Sequence, residues 1–198
     1  MSTITIPEGL VLYAGIHAED SGQGCIMEWV SRLAGEPWSD YPSCTAPTLR
    51  AYVIPIHDAM PDDVRQRLIP YIPLLIGTAP EPEAIARRRA YLCADRAIRV
   101  FAPLALEAAG LRDEATRRRA LPPVTDPASA AWAAESAESA ESAESAAWAA
   151  ESASRAAAWA AAWAAAWAAA WAAAWAAGHA QAWDEALVLL DDLLAVTG

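Results

Sequence analysis

The chain has 198 residues and a formal net charge of -11, from 14 Lys+Arg against 25 Asp+Glu. Every basic residue is arginine, so a Walker-A phosphate loop, a Schiff-base lysine and lysine-held pyridoxal phosphate are all excluded. The acidic balance disfavours a nucleic-acid partner, which needs a net basic surface or a strong basic stripe.

Cys25, Cys44 and Cys93 are too few, and odd in number, for a disulfide framework. The start, M-S-T-I-T-I-P-E-G-L, has no basic region or long apolar run and does not read as a secretory signal. Reduced thiols and a cytoplasmic protein are expected. Composition shifts sharply near Pro122-Pro123. Up to Asp126 the chain is mixed and proline-rich, with 13 Arg against 16 acids. Residues 128–198 carry one Arg against nine acids, and 34 of their 71 residues are alanine. The expected organisation is a mostly helical body over 1–125, a repeat-built helical arm over 126–178, and a C-terminal amphipathic docking helix over 179–198.

In chain order, Ile4 to Ala14 is the one plausible strand, so the fold class is mostly α with at most a short N-terminal β element. Ser21-Gly-Gln-Gly24 is a turn that opens a helix from about Cys25 to Ala34, stopped by Gly35 and Pro37. A second helix spans Pro47 to Ala59, where Pro55 predicts a kink or break. Pro61-Asp62-Asp63 opens a third, with proline first and acids in the first turn, ending near Ile69 before Pro70 and Pro73. Thr78 and Glu81 have capping-box spacing ahead of the strongest body helix, Pro80 to Ala109, which Pro103 bends and Gly110 closes. A short helix from Arg112 to Leu121 completes the body.

Asp126-Pro127 makes an N-cap and first-turn pair for the arm. No breaker follows before Ala177, which predicts a helix of about 50 residues, roughly 75 Å long. Within it E-S-A recurs four times from Glu135, and A-A-A-W places Trp159, Trp163, Trp167, Trp171 and Trp175 four residues apart. Each four-residue step turns the stripe by about 40°, so the five tryptophans sweep about 160°, too fast a drift for a simple coiled-coil seam. No formal charge occurs from Ala156 to Trp183, so this stretch is apolar nearly all round and calls for burial in protein or lipid. It exceeds the roughly 20 residues that span a bilayer. Tryptophan recurring mid-span and the missing basic flank disfavour that reading but leave membrane association open. The expected partners are the chain itself, as a homo-oligomer, or another protein. The last segment, Gln181 to Val196, sets Trp183, Leu187, Leu190 and Leu194 on one face as a docking helix.

The densest polar cluster is His17, Glu19, Asp20, Cys25, Glu28, Asp40 and Cys44. Cys25 sits at a predicted helix N-terminus, where the dipole favours a thiolate, and His17 or His57-Asp58 could serve as its base. The alternative is a small buried cysteine packing the first turn. His17, Cys25, Glu28 and Cys44 could equally hold zinc, although no C-x-x-C or H-E-x-x-H spacing appears. Gly22-Gln-Gly24 is not a dinucleotide fingerprint, because Met27 occupies the third glycine position. Arg87-Arg88-Arg89 and Arg117-Arg118-Arg119 are expected on an ion-paired surface with Glu81, Glu83, Asp113 and Glu114, and His179 is expected at a helix stop.

G-C-I-M-E from Gly24, L-A-G-E-P-W-S-D from Leu33, M-P-D-D-V-R-Q-R-L from Met60, Y-I-P-L-L-I-G-T from Tyr71 and L-C-A-D-R-A-I-R-V from Leu92 resemble an uncharacterised protein family. That family belongs to GC-rich actinobacteria, similar soil bacteria and their phages. Its relatives also carry Ala-rich tracts before a short leucine-rich end. The resemblance covers most of residues 15–105 and implies a common body fold, with no known activity to carry over. The sequence as a whole points to a non-enzymatic binding or self-assembling protein acting through its Trp stripe. A small metal- or cysteine-dependent enzyme built on His17, Cys25, Glu28 and Cys44 is the alternative, and membrane association through the Ala/Trp helix the second.

Overall fold

The computed structural model describes residues 4–108, 110–126, 128–129 and 180–197. These residues are mostly α, without a strand among them. They fall into two compact units, 1–81 and 82–198, divided at Glu81-Pro82. The division lies inside the stretch 1–125 that the sequence suggested as one body.

In the first unit, the segment Ile4–Ala14 is irregular rather than a strand. Its backbone groups find other partners: the side-chain amide of Gln66 takes the N–H of Leu12 at 2.9 Å and its carbonyl at 3.1 Å. The N–H of Tyr13 donates to the carbonyl of Gly24 at 3.0 Å. A glutamine thus does for one residue what a neighbouring strand would do, and Leu12 is buried beneath it. Helix α1 (Ile26–Ala34) follows, N-capped by Cys25 and closed by Gly35. Gly35 has φ 76°, the left-handed turn that lets its N–H reach Arg32 and the next N–H reach Ser31.

Helix α2 (Pro47–Ala59) runs through Pro55 without breaking. Tyr52 and Val53 before the proline, and Ile56 and His57 after it, are all buried, and their packing outweighs one lost backbone bond. A single third helix ending near Ile69 is replaced by three short pieces: α3 (Asp62–Arg65), a 3₁₀ segment (Gln66–Tyr71) and α4 (Ile72–Leu75). Pro73 lies in the first turn of α4, where no intrahelical donor is needed, so the helical path continues past the expected stop.

Thr78 and Glu81 do cap a helix, but not the one that follows them. The Thr78 hydroxyl accepts from the N–H of Ala46 at 2.8 Å, and Glu81 accepts from the N–H of Thr48 at 3.1 Å and from its hydroxyl. They satisfy the N-terminus of α2, which has no side-chain cap of its own.

In the second unit, α5 (Glu83–Arg96) continues through a π-helical turn (Ala97–Phe101) into α6 (Ala102–Ala108). The N–H of Ala102 reaches back five residues to Ala97, and this wider turn immediately precedes Pro103, where the sequence predicts a bend. Gly110 and Leu111 close α6 on the carbonyls of Glu107 and Leu106, and α7 (Arg112–Arg119) packs on α6. Val124 is buried, with its N–H on Asp95 Oδ1 at 2.9 Å. Asp126 and Ser129 then cap each other, Asp126 Oδ1 accepting from the Ser129 N–H at 2.8 Å and Ser129 Oγ from the Asp126 N–H at 3.1 Å.

The chain re-enters the description at α8 (Ala180–Ala195), which docks against α5 and the π turn. Its buried face is Ala182, Trp183, Ala186, Leu187, Leu189, Leu190 and Leu193. It is broader than the expected stripe, and Leu193 rather than Leu194 occupies its last buried position. The E-S-A repeats, the series Trp159 to Trp175, Gly178 and His179 lie outside the described residues. Among the described residues, no helix is long and apolar enough to cross a membrane.

Candidate functional site

The first unit gathers its chemistry around the N-terminus of α1. Glu28, one turn into the helix, is 1% exposed. Its carboxylate accepts from the backbone N–H of Cys25 at 2.7 Å, from the backbone N–H of His17 at 2.7 Å and from His17 Nδ1 at 3.0 Å. In return Cys25 Sγ accepts from the Glu28 N–H at 3.4 Å, completing a capping box in which a thiol replaces the usual hydroxyl. Three donors make the buried carboxylate tolerable.

On the other side of the same turn, the N–H of Ile26 approaches His57 Nε2 at 3.4 Å. That contact leaves the proton on Nδ1, which donates to Asp58 Oδ1 at 3.0 Å. Asp58 also accepts from the N–H of Gly15 at 2.9 Å. Burial raises the Asp58 carboxyl, but the bonds from His57 and Gly15 and the charge of Arg65 outweigh it and hold the group below its ordinary range. Arg65, itself buried, donates to the carbonyls of His57 at 2.9 Å and Met60 at 2.5 Å, and so ties off the end of α2.

Of the four residues with metal-binding or catalytic chemistry, the structure brings together His17, Cys25 and Glu28. Cys44 stands elsewhere, next to Thr45 and under the influence of Glu36. Among the described residues, no group of three or more His, Cys, Asp or Glu side chains is arranged to hold a metal ion. The helix dipole favours a Cys25 thiolate, but burial and the Glu28 carboxylate push its pKa up from 9.0 to about 12. At neutral pH it is therefore a thiol that caps a helix. What this cluster achieves is a fixed junction: Glu28 and Asp58 pin Gly15 and His17 of the N-terminal segment to α1 and α2.

Next to that junction lies an aromatic layer that the sequence reading missed. Trp29 and Trp38 meet edge to face at 5.7 Å, with Arg32 stacked over both, and Trp38 Nε1 donates to the His17 carbonyl at 2.8 Å. Gly24 makes room for them: a Cβ there would lie 2.7 Å from Trp29 Nε1 and 2.8 Å from a Trp38 ring carbon. The W-x8-W spacing was the signal available for this pair.

In the second unit, the two arginine runs divide by role. Arg87 pairs with Glu83, Arg117 and Arg118 with Glu114, and Arg119 with Glu107. Arg118 is nonetheless buried in its pair with Glu114, contrary to the surface position expected for it, and Arg89 is 5% exposed, its Nε donating to the carbonyl of Leu193 at 2.9 Å, in the last turn of α8. Arg88 donates to the carbonyl of Thr197 at 3.1 Å. Arg96 bridges two acids of α8, Glu185 at 3.2 Å and Asp192 at 2.6 Å. α8 is thus held by its buried apolar face together with arginines on Glu185, Asp192 and the carbonyls at its C-terminal end.

Comparison with known protein families, with curated proteins and with solved structures finds no match to this chain.

Proposed function

We propose that the chain is a non-enzymatic binding or self-assembling protein of the cytoplasm, whose Trp stripe, Trp159, Trp163, Trp167, Trp171 and Trp175, forms a subunit or internal interface. One observation carries the reading. Trp183 continues the four-residue spacing two steps beyond Trp175, and it is 2% exposed, inserted in the apolar contact between α8 and its neighbours. Trp183 is the one tryptophan of residues 128–198 among those described, and it serves as a buried packing group. Five more in an uncharged stretch represent up to roughly 25 kcal/mol of burial at about 25 cal/mol per Å². Left open to water, they would form one adhesive surface. The three free thiols suit a reducing compartment, and the resemblance to the actinobacterial and phage family brings no activity that would compete with this reading.

The test is light scattering on the full chain in detergent-free buffer, beside a variant with all five tryptophans changed to alanine. Truncation at Asp126 is the poorer control, because it also removes α8 and uncovers the face that α8 buries. A defined oligomer that the variant loses identifies a subunit interface. A monomer whose melting temperature falls in the variant identifies an internal one. A variant unchanged in both mass and melting temperature overturns the reading.

A second reading, a small cysteine- or metal-dependent enzyme, draws on the contacts that Cys25 and His17 both make with Glu28. Zinc retained through dialysis and lost in Cys25→Ser would support it over self-assembly.

A further inference from the structure

The guanidinium of Arg32 rests on two tryptophan rings and is held by little else. Its Cζ is 5.9 Å from the Trp29 ring centroid and 5.3 Å from that of Trp38. Its ion pair with Glu19 spans 4.0 Å, between side chains that are 48% and 66% exposed. Among the described residues, its N–H groups make no hydrogen bond. We propose that the two indoles form a binding site for a small methylated ammonium ion, which Arg32 fills in the free protein and vacates when the ion binds. The site lies wholly in the first unit and is independent of the Trp stripe.

Trp29 and Arg32, three residues apart, share a face of α1, and the turn at Gly35 brings Trp38 back to it. The rings meet at 79°, so they form a corner with two walls rather than a flat stack. The bond from Trp38 Nε1 to the His17 carbonyl fixes one wall. The other wall has no such anchor: Trp29 Nε1 is buried against Gly24 without a partner among the described residues. A buried indole donor is seldom left unmet where packing is the sole demand. Both tryptophans are half-buried with Arg32 in place, so part of each ring already meets water. What the corner offers is ring faces, which attract a cation but satisfy no N–H group. A guanidinium has N–H donors to satisfy and gives up hydration to lie there, whereas a quaternary ammonium has none and is better suited to the same faces. Glu19 supplies a counter-charge beside the corner, with Asp20 next to it in the chain, and the net charge of -11 draws cations to the molecule.

The experiment titrates the full chain, isotope-labelled at its indole nitrogens, with choline. The indole N–H signals of Trp29 and Trp38 are assigned from Trp29→Phe and Trp38→Phe. The expected result is a saturable shift of both signals, with no comparable shift from dimethylbutanol, the uncharged carbon analogue of choline. Arg32→Ala removes an exposed side chain and with it the resident cation, and should tighten choline binding by about two- to five-fold. Trp38→Leu keeps an apolar group in place of a ring face and should abolish binding. Acetyl-trimethyllysine amide, titrated in parallel, tells a head group on a modified lysine from a free ion, the tighter binder marking the source. The absence of a saturable shift in both the parent and Arg32→Ala overturns the site, as does an equal response to dimethylbutanol. Choline affinity in Arg32→Ala no tighter than in the parent overturns the exchange with Arg32.

Discussion

Arg89 Nε donates to the carbonyl oxygen of Leu193 at 2.9 Å across a sequence separation of 104 residues. The same guanidinium reaches the carbonyl of Val196 at 3.4 Å. The Leu193 oxygen belongs to the last turn of α8 and the Val196 oxygen lies just beyond it, so one buried cation supplies the C-cap that a glycine would otherwise supply. Arg89→Ala should cost about 2–3 kcal/mol, because it leaves buried carbonyls unpaired. Arg89→Lys should recover only part of that, since an ammonium cannot span two oxygens in the fixed geometry of a guanidinium. Urea unfolding followed by circular dichroism measures both, and an Arg89→Ala midpoint equal to that of the parent would refute the capping role.

The thiols give a pH prediction with a definite sign. Burial raises Cys25 and Cys93 from 9.0 to about 12, the Glu28 carboxylate adding to the shift at Cys25 and the Arg89 charge opposing it at Cys93. Below pH 9 both are thiols in the folded and unfolded chain alike, and they add no pH dependence. Between pH 9 and 12 the unfolded thiols ionise and the folded ones do not, so stability falls as pH rises, by up to about 1.4 kcal/mol per unit for each thiol. Cys25→Ser with Cys93→Ala should flatten the alkaline limb of a stability-against-pH curve. At pH 8 in the native state, a maleimide should label Cys44 first, and Cys25 and Cys93 only on unfolding.

Glu28 is the common acceptor for two backbone N–H groups and one imidazole. Glu28→Ala strands those donors in a buried site and should cost about 3–5 kcal/mol, near the upper range for a single substitution. Glu28→Gln keeps one acceptor oxygen and should cost less than half as much. Hydrogen exchange at the Cys25 and His17 amides reads the loss directly, and unchanged protection in Glu28→Ala would show that other groups hold the turn.

Gly24→Ala tests the aromatic layer. The added methyl would meet Trp29 Nε1 at 2.7 Å and Trp38 at 2.8 Å, so one ring has to move. Displacing Trp38 also weakens its bond to the His17 carbonyl. A loss of about 1–3 kcal/mol is expected, with a change in near-ultraviolet circular dichroism, whereas Gly22→Ala meets nothing and is opposed only by its positive φ.

Much of this architecture was legible in the local order of residues. Apolar spacing and punctuation alone place α1 at Cys25 to Ala34, α2 at Pro47 to Ala59, the long helix ending at Gly110 and the final docking helix, because helix starts and stops depend on a few adjacent residues. The acids, thiols and imidazoles around Cys25 were visible as a set for the same reason, being close together in the chain. What they do was decided by burial. A helix N-terminus lowers a thiol's pKa and a dry site beside a carboxylate raises it, and the sequence displays only the first of these influences.

Partners distant in sequence were beyond reach. Thr78 and Glu81 have the spacing of a cap for the helix that follows them, yet they cap α2, because a side chain bonds whichever unsatisfied N–H the fold brings near. Ile4 to Ala14 has the apolar content of a strand, and Gln66 takes the place of its neighbour. Arg89 reads as one of three surface arginines, and only the docking of α8 buries it. The sequence by itself determined where helices begin and end, since propensity and capping act over a few residues. Tertiary structure decided which ends meet and which charges lose their water, because those energies depend on neighbours that chain order does not name.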